Sequence, residues 1–422
     1  MADKLTPQQA EAISNRGGKL LVSAAAGSGK TKVLVDRLLG YLTDPKDPAN
    51  LDEFLIITYT KAAASELRGK IAAKLTERIA EEPENRHLQK QMQRLFLTKI
   101  STVHGFCSDI LREYAYRLDL PADFRVADEN ECREIRETVM EDLLDRAYET
   151  ADASPDFHAF VDTQGLGRDD RLVPELIEKV YNSAMCHLDP DGWLQKALSF
   201  ADMDQVADAS ETVWGKYLMD DLKEYLDCQI HVIKQCVQEL EKAAGMEKPA
   251  MNLKDVLHQL ERIHGSETWD DVVKYHDIDY GRLTFPRKCD DPELVERIKA
   301  ARDACKTGLK KRLRPFADPS EQVLRDLQQS GAGARGLVAL VKAFERDYSI
   351  AKRSRRCLDF SDLEHKTLDL VLGKSRSGPT VAALEIGNRF REIMVDEYQD
   401  SNGVQDAIFT ALTRKRNNCF MV

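Results

Sequence analysis

Apolar residues recur along the chain with strand-like runs at both ends and a helical period between them. Leu20–Ala25 is an apolar run, and it predicts a strand buried on both faces of a parallel sheet. Val33, Leu34, Leu38 and Leu42 then form one stripe, which predicts a helix over 31–42. Phe54–Thr60 (FLIITYT) reads as a second buried strand. Ala64, Leu67, Ile71, Leu75 and Ile79 step by three and four, predicting a helix over 61–79. A short strand is expected around 99–103 and a helix over 106–117. Strands alternating with helices in this order predict an α/β layer fold built on a parallel sheet.

After Pro121 the texture changes. Ile135, Val139, Leu143 and Ala147 form one stripe; Leu222, Leu226, Ile230, Ile233, Val237, Leu240 and Ala244 form another. Gly165-Leu166-Gly167, Asp189-Pro190-Asp191-Gly192 and Gly331-Ala332-Gly333 are expected to break the helices. The strand signal returns at Ile393-Met394-Val395, a helix is expected over 405–412, and Cys419–Val422 begins another apolar run. The expected organisation is therefore an α/β domain made of 1–120 and 350–422, interrupted by a mostly helical insertion over 121–349. A doubly wound domain that stops on a strand reads as truncated.

Composition narrows the setting. The chain has 422 residues, 42% of them hydrophobic, enough for real cores. No early apolar run suggests a secretory signal, and none approaches the roughly 20 residues of a membrane helix, so a soluble, cytoplasmic protein is expected. Nine cysteines are scattered without a C-x-x-C pair, which argues for reduced thiols and against a disulfide framework, a zinc site or a cluster. His258 and His264 are too far apart to stack two ligands on one helix face. The net charge of -11 argues by itself against a nucleic-acid partner but leaves room for a local basic groove. Two basic runs stand out. Lys310–Arg314 reads more readily as a solvated helix face, whereas Lys352–Arg356 is open between that and phosphate contact.

Two motifs carry chemistry. Ala24-Ala25-Ala26-Gly27-Ser28-Gly29-Lys30-Thr31, followed by Lys32, fits the phosphate-binding loop G-x-x-x-x-G-K-[ST] with alanine in first place. Gly27 and Gly29 let backbone N–H groups turn toward phosphate oxygens, and the helix after them offers its positive end to the same anion. Lys30 is suited to the β and γ phosphates, and the Thr31 hydroxyl to Mg²⁺. The second motif is Val395-Asp396-Glu397-Tyr398-Gln399-Asp400, an acidic pair at the end of a buried strand. Asp396 is a candidate metal ligand and Glu397 a candidate general base for the attacking water. Each motif has a plainer reading, a glycine-rich turn and an acidic surface turn. Together they complete one site, but only if the long helical stretch between them is an excursion from one domain.

Further stretches fall into a pattern: LTPQQAEAI from Leu5, TYTKAAASEL from Thr58, ISTVHGFC from Ile100, LDFSDL from Leu358 and DEYQDSNGVQ from Asp396. In this order they resemble the motifs of superfamily-one DNA helicases of the UvrD/RecB type. SAAAGSGKT, STVHGFC and LDFSDL are most similar to the AddA group, the helicase–nuclease subunits of bacterial AddAB. The resemblance is strong over 1–125 and 345–422. It implies a RecA-like P-loop NTPase domain using ATP and Mg²⁺, moving 3′ to 5′ along DNA, single- or double-stranded. It also implies a second RecA-like half and a nuclease domain in the full-length protein, and an AddB-like partner subunit.

By the same resemblance Gln9 recognises adenine, Lys30 and Thr31 form the Walker A pair, and Asp396 and Glu397 form the Walker B pair. Gln399 senses the γ-phosphate. Thr58, Tyr59, Thr60, His104 and Phe106 contact DNA, and Asp359, Phe360 and Asp362 lie near its path. From the residues alone, Gln9 reads equally as a surface glutamine, and Tyr59 and Phe106 more often as core. Lys61-Ala62 departs from the Asn-Lys of UvrD-like members, which puts a DNA contact there in doubt. The alternatives are a stand-alone UvrD-like helicase without a nuclease and a P-loop module that does not act on DNA.

Overall fold

A computed structural model describes residues 5–25, 27–149, 154–164, 172–203, 206–286, 291–413 and 417–422. The chain opens with α1 (Pro7–Ser14), β1 (Gly18–Leu21), α2 (Lys30–Leu42), β2 (Phe54–Thr58), α3 (Lys61–Glu81), α4 (Arg86–Arg94), β3 (Lys99–Thr102), α5 (Val103–Glu113) and β4 (Arg125–Val126). A helical run follows: α6 (Glu129–Glu149), α7 (Pro155–Gln164), α8 (Leu172–Met185), α9 (Pro190–Ser199), α10 (Val213–Lys242), α11 (Glu247–His264), α12 (Trp269–Tyr275), α13 (Pro292–Leu313) and α14 (Ser320–Ser354). The chain then forms β5 (Cys357–Leu358), α15 (Phe360–Leu372), α16 (Val381–Gly387), β6 (Glu392–Val395), α17 (Gly403–Thr413) and β7 (Asn418–Met421). It is mostly helical, with one parallel sheet ordered β1-β7-β6-β2-β3 and a short parallel pair β4-β5.

The described residues fall into two compact units. Unit 1 is 1–146, 174–193 and 340–422; unit 2 is 147–173 and 194–339. Unit 1 has three layers because successive residues of β2 face opposite ways. Phe54 and Ile56 join Met394 and Phe420 in a core with α2 and α3. Leu55 and Ile57 join Ile393 and Val395 in a core with α5, α15, α16 and α17. Unit 1 reaches beyond the α/β segments, because Tyr181 of α8 packs edge-on against Phe344 and Tyr348 of α14. Unit 2 is helical, built on Leu222, Leu226, Ile233 and Leu240 of α10 against Leu253, Val256 and Leu260 of α11.

Three local expectations change. The first strand is Gly18–Leu21, not Leu20–Ala25, and its burial alternates. It lies at the end of the strand order, where Leu21 is 58% exposed, so it is not buried on both faces. Gly331-Ala332-Gly333 does not break the chain but sits inside α14, a single helix of 35 residues. There the glycines permit close packing: a Cβ built on Gly333 would lie 3.1 Å from the Thr163 hydroxyl, and one on Gly336 would lie 2.2 Å from the Asp156 carbonyl. Lys352 of the second basic run is no solvent-facing cation. It is buried in a triad with Asp359 at 2.7 Å and Asp362 at 2.6 Å. The Gly165–Gly167 break lies outside the described residues. Among the described residues no helix is long and apolar enough to cross a membrane.

Candidate functional site

The turn between β1 and α2 uses glycine where the backbone requires it. Gly27 and Gly29 sit at φ +77° and +86°, a region costly for residues with a Cβ. Gly29 is the N-cap of α2 and supplies no side-chain acceptor, so no side chain closes that helix end. The Ser28 amide donates to the Ala25 carbonyl at 3.2 Å and tightens the turn. Ala24 and Ala25 lie exposed before it; Ala26 is outside the described residues. Gln9 is no free surface glutamine. Its Nε2 donates to the Ser28 carbonyl at 3.0 Å, and its Oε1 accepts from the Thr6 amide at 2.9 Å. The amide thus ties α1 to the glycine turn.

The acidic pair comes to the same place. Parallel pairing sets β6 beside β2 and β7, with Asp396 just past its end. The Asp396 amide donates to the Ile57 carbonyl at 2.9 Å, and Tyr398 donates to Val422 at 2.8 Å, stitching the turn to both neighbours. Glu397 between them is left-handed at φ 59°, ψ 43°. A non-glycine residue held there stores about 1–3 kcal/mol, a pattern that gathers at working sites. Lys30 Nζ lies 3.9 Å from Glu397 Oε2 and 3.5 Å from Gln399 Oε1, across 369 residues of sequence in the second case. Gln399 Nε2 donates in turn to Glu397.

These groups open on a cavity of about 630 Å³, lined also by Thr31, Lys32, Lys70 and Lys74. Burial first, and the neighbouring Glu397 second, push the Asp396 carboxyl above its ordinary value; Lys70 and Lys30 only partly relieve it. A hydroxyl and two crowded carboxylates beside a cationic, glycine-floored cavity fit a hard cation that brings its own phosphate and water ligands. Lys70 and Lys74 were missed in the sequence. Their spacing of four on α3, either side of Ala73, was the available signal.

Beneath the cavity, Arg37 of α2 and Glu392 of β6 form a buried bidentate pair at 2.8 and 2.6 Å. Arg37 also donates to the carbonyls of Ala12, at 2.6 Å, and Asn15. One guanidinium therefore fixes the helix carrying Gln9, the helix carrying Lys30 and the strand leading to Asp396. A lone arginine in the stripe VLVDRLL was the sequence signal for it.

The residues expected to contact DNA divide. Thr58 is buried and donates to the Thr60 carbonyl at 3.2 Å; Thr60 caps α3 by accepting from Ala63. Tyr59 is half-buried, its hydroxyl bonded to Ser401 and Gln405. Phe106 is core at 3% exposure, so its ring offers no stacking face. Asp359 is likewise turned inward, capping α15 and pairing with Lys352. Phe360 is 49% exposed and stacks on His104, with ring centroids 4.3 Å apart and planes 15° apart. His104 and Phe360 form the surface platform of this group.

A parallel sheet, a glycine turn opening on Lys30-Thr31 and an acidic strand end beside it define a P-loop protein of the α/β class. The profile of the UvrD/REP helicase N-terminal domain matches residues 5–422, and the chain belongs to that family. Among curated relatives it is similar to the AddA-type ATP-dependent helicase/nuclease protein of Pelotomaculum thermopropionicum, 34% identical over 434 residues. The proteins of the same name from Bacillus licheniformis and Geobacillus thermodenitrificans are 33% and 35% identical over 429 and 433 residues. These matches cover 99–100% of the chain but 34% of each relative, so the chain spans about a third of their length.

Proposed function

We propose that this chain is the ATP-binding N-terminal part of a DNA translocase and helicase of double-strand break repair and recombination. The observation that carries the reading is the meeting of Lys30 with Glu397 and Gln399 at one cavity. In this reading Lys30 neutralises the β and γ phosphates, and Gln9 reads adenine from across the glycine turn. Gln399 reports the γ-phosphate, and Glu397 takes a proton from the attacking water. Thr31 and Asp396 hold Mg²⁺, which supplies positive charge to the phosphates when bound. The helical stretch between β4 and β5 is an insertion into a RecA-like domain. DNA meets the protein on the His104–Phe360 face, where a ring stack contributes about 1–3 kcal/mol per base.

For the complete protein we infer translocation 3′ to 5′, an accompanying exonuclease and an AddB-like partner subunit. These rest on the motif resemblance and on the names of the relatives.

The reading is tested on the complete gene product. ATP turnover is measured with and without single-stranded DNA, and binding of a labelled single strand by fluorescence anisotropy across a salt series. The reading expects DNA-stimulated turnover and an affinity that falls as salt rises. Turnover indifferent to DNA, with no salt-sensitive binding, leaves a P-loop module that does not act on DNA.

A further inference from the structure

The His104–Phe360 stack is exposed above and anchored below. His104 Nε2 donates to Glu364 Oε1 at 3.0 Å. Gln405 Nε2 donates to the same oxygen at 2.6 Å, and Asn402 Nδ2 to Glu364 Oε2 at 3.1 Å. Glu364 is only 5% exposed, so its charge is held by these donors rather than by water. Burial works against the carboxylate, yet the bonds from His104, Gln405 and Asn402 keep its pKa below the ordinary value.

The same donors lead to the nucleotide cavity. Gln399 and Ser401 belong to one tight turn, in which Ser401 donates from its backbone to Tyr398 at 3.0 Å. Asn402 follows directly, and its Oδ1 accepts the Gln405 amide at 2.8 Å, capping α17. Ser401 and Gln405 also hold the Tyr59 hydroxyl. One buried carboxylate therefore joins the exposed ring stack to the segment that begins at Glu397.

We propose that Glu364 is a positioning residue that couples the turn after the nucleotide site to the His104–Phe360 platform, so that it sets how strongly DNA stimulates ATP turnover. This rests on the helicase reading above. Glu364 touches neither nucleotide nor DNA. Its part is to make a shift of the 399–402 turn and a shift of the ring stack the same event, since Asn402, Gln405 and His104 share its two oxygens.

The hydrogen-bond pattern dictates the test. Glu364→Gln turns one acceptor into a donor, which then faces the Asn402 amide nitrogen. Asn402 cannot relieve this by flipping, because its Oδ1 is needed by the Gln405 amide. Asn402→Asp in the same protein repairs it: one oxygen accepts from the new glutamine, the other still caps α17. Turnover of the complete gene product is measured without DNA and over a titration of single-stranded oligothymidylate.

Glu364→Gln should leave DNA-free turnover and the KM for ATP within about twofold, and reduce the stimulation ratio about 5-fold or more. The double variant should return the ratio to within about twofold of wild type. Asn402→Ala, at the rim of the network, gives a second route with the same sign should Glu364→Gln fail to fold. An unchanged ratio in a folded variant, a parallel fall of basal and stimulated turnover, or no recovery in the double variant overturns the proposal. Wild-type turnover indifferent to DNA refutes the helicase reading itself, and is read before any variant is made.

Discussion

Arg37→Met removes the cation that joins three parts of the nucleotide site. Arg37 and Glu392 are each 1% exposed, so neither side chain has water to fall back on. The variant leaves Glu392 with the Tyr41 hydroxyl, at 3.0 Å, in place of a two-point guanidinium. Stranding one member of a buried pair costs about 3–5 kcal/mol. The Ala12 and Asn15 carbonyls lose a donor as well, although the Asn15 contact is only part-buried and can take a water. Methionine keeps apolar volume near the Phe420 ring, 4.7 Å from the guanidinium carbon, which limits any cavity term. The sum stays near 3–5 kcal/mol, roughly two to four powers of ten in the folding equilibrium.

Urea unfolding followed by circular dichroism measures this, using the transition that carries unit 1. Arg37→Met/Glu392→Leu should recover most of the loss, because an apolar pair of similar volume strands no charge. The single variant should also raise the KM for ATP, since α1 and Gln9 lose their anchor. A loss below about 1 kcal/mol, or a double variant as unstable as the single, would refute this account of the clamp.

The two phenylalanines of the expected DNA face should separate cleanly. Phe360→Ala should weaken binding of a labelled single strand in anisotropy while changing thermal stability little. Phe106→Ala should cost about 3–5 kcal/mol of stability in denaturant titration, as a core truncation does. The carboxyl of Glu364, held below its ordinary value, contributes stability that is present above about pH 4.3 and lost as pH falls through its folded pKa. The stability gap between wild type and Glu364→Gln should therefore be widest near neutrality and close in acid. A gap independent of pH in the same denaturant series would contradict the bonded, ionised carboxylate.

Much of unit 1 was legible because its signals are local. FLIIT in β2 and the stripe from Ala64 to Leu75 in α3 are periodic enough to name the elements. The glycine turn announces itself because Gly27 and Gly29 need positive φ. Strand order was not local. That β1 lies at the sheet's edge follows from its pairing with β7, some 400 residues away by register Gly18 to Asn418. The glycines of α14 read as breakers because nothing in their neighbourhood reveals the Thr163 and Asp156 atoms they pack against. Lys352 read as solvated for the same reason: its partners Asp359 and Asp362 neutralise it only once α14 and α15 are folded together. The Glu364 network joins residues from four separate segments, and no periodicity encodes such a meeting.

The central claim is that groups near the two ends of the chain form one magnesium-nucleotide cradle. Titration of a fluorescent ATP analogue into wild type, Lys30→Ala and Asp396→Asn, each with Mg²⁺ and with a chelator, tests it most directly. With Mg²⁺, both substitutions should weaken binding by about tenfold or more, the scale of one lost charge-assisted contact. With the chelator, Asp396→Asn should bind as wild type does, because its partner ion is gone, while Lys30→Ala stays weak. Wild-type affinity in either variant with Mg²⁺ present would contradict a shared site.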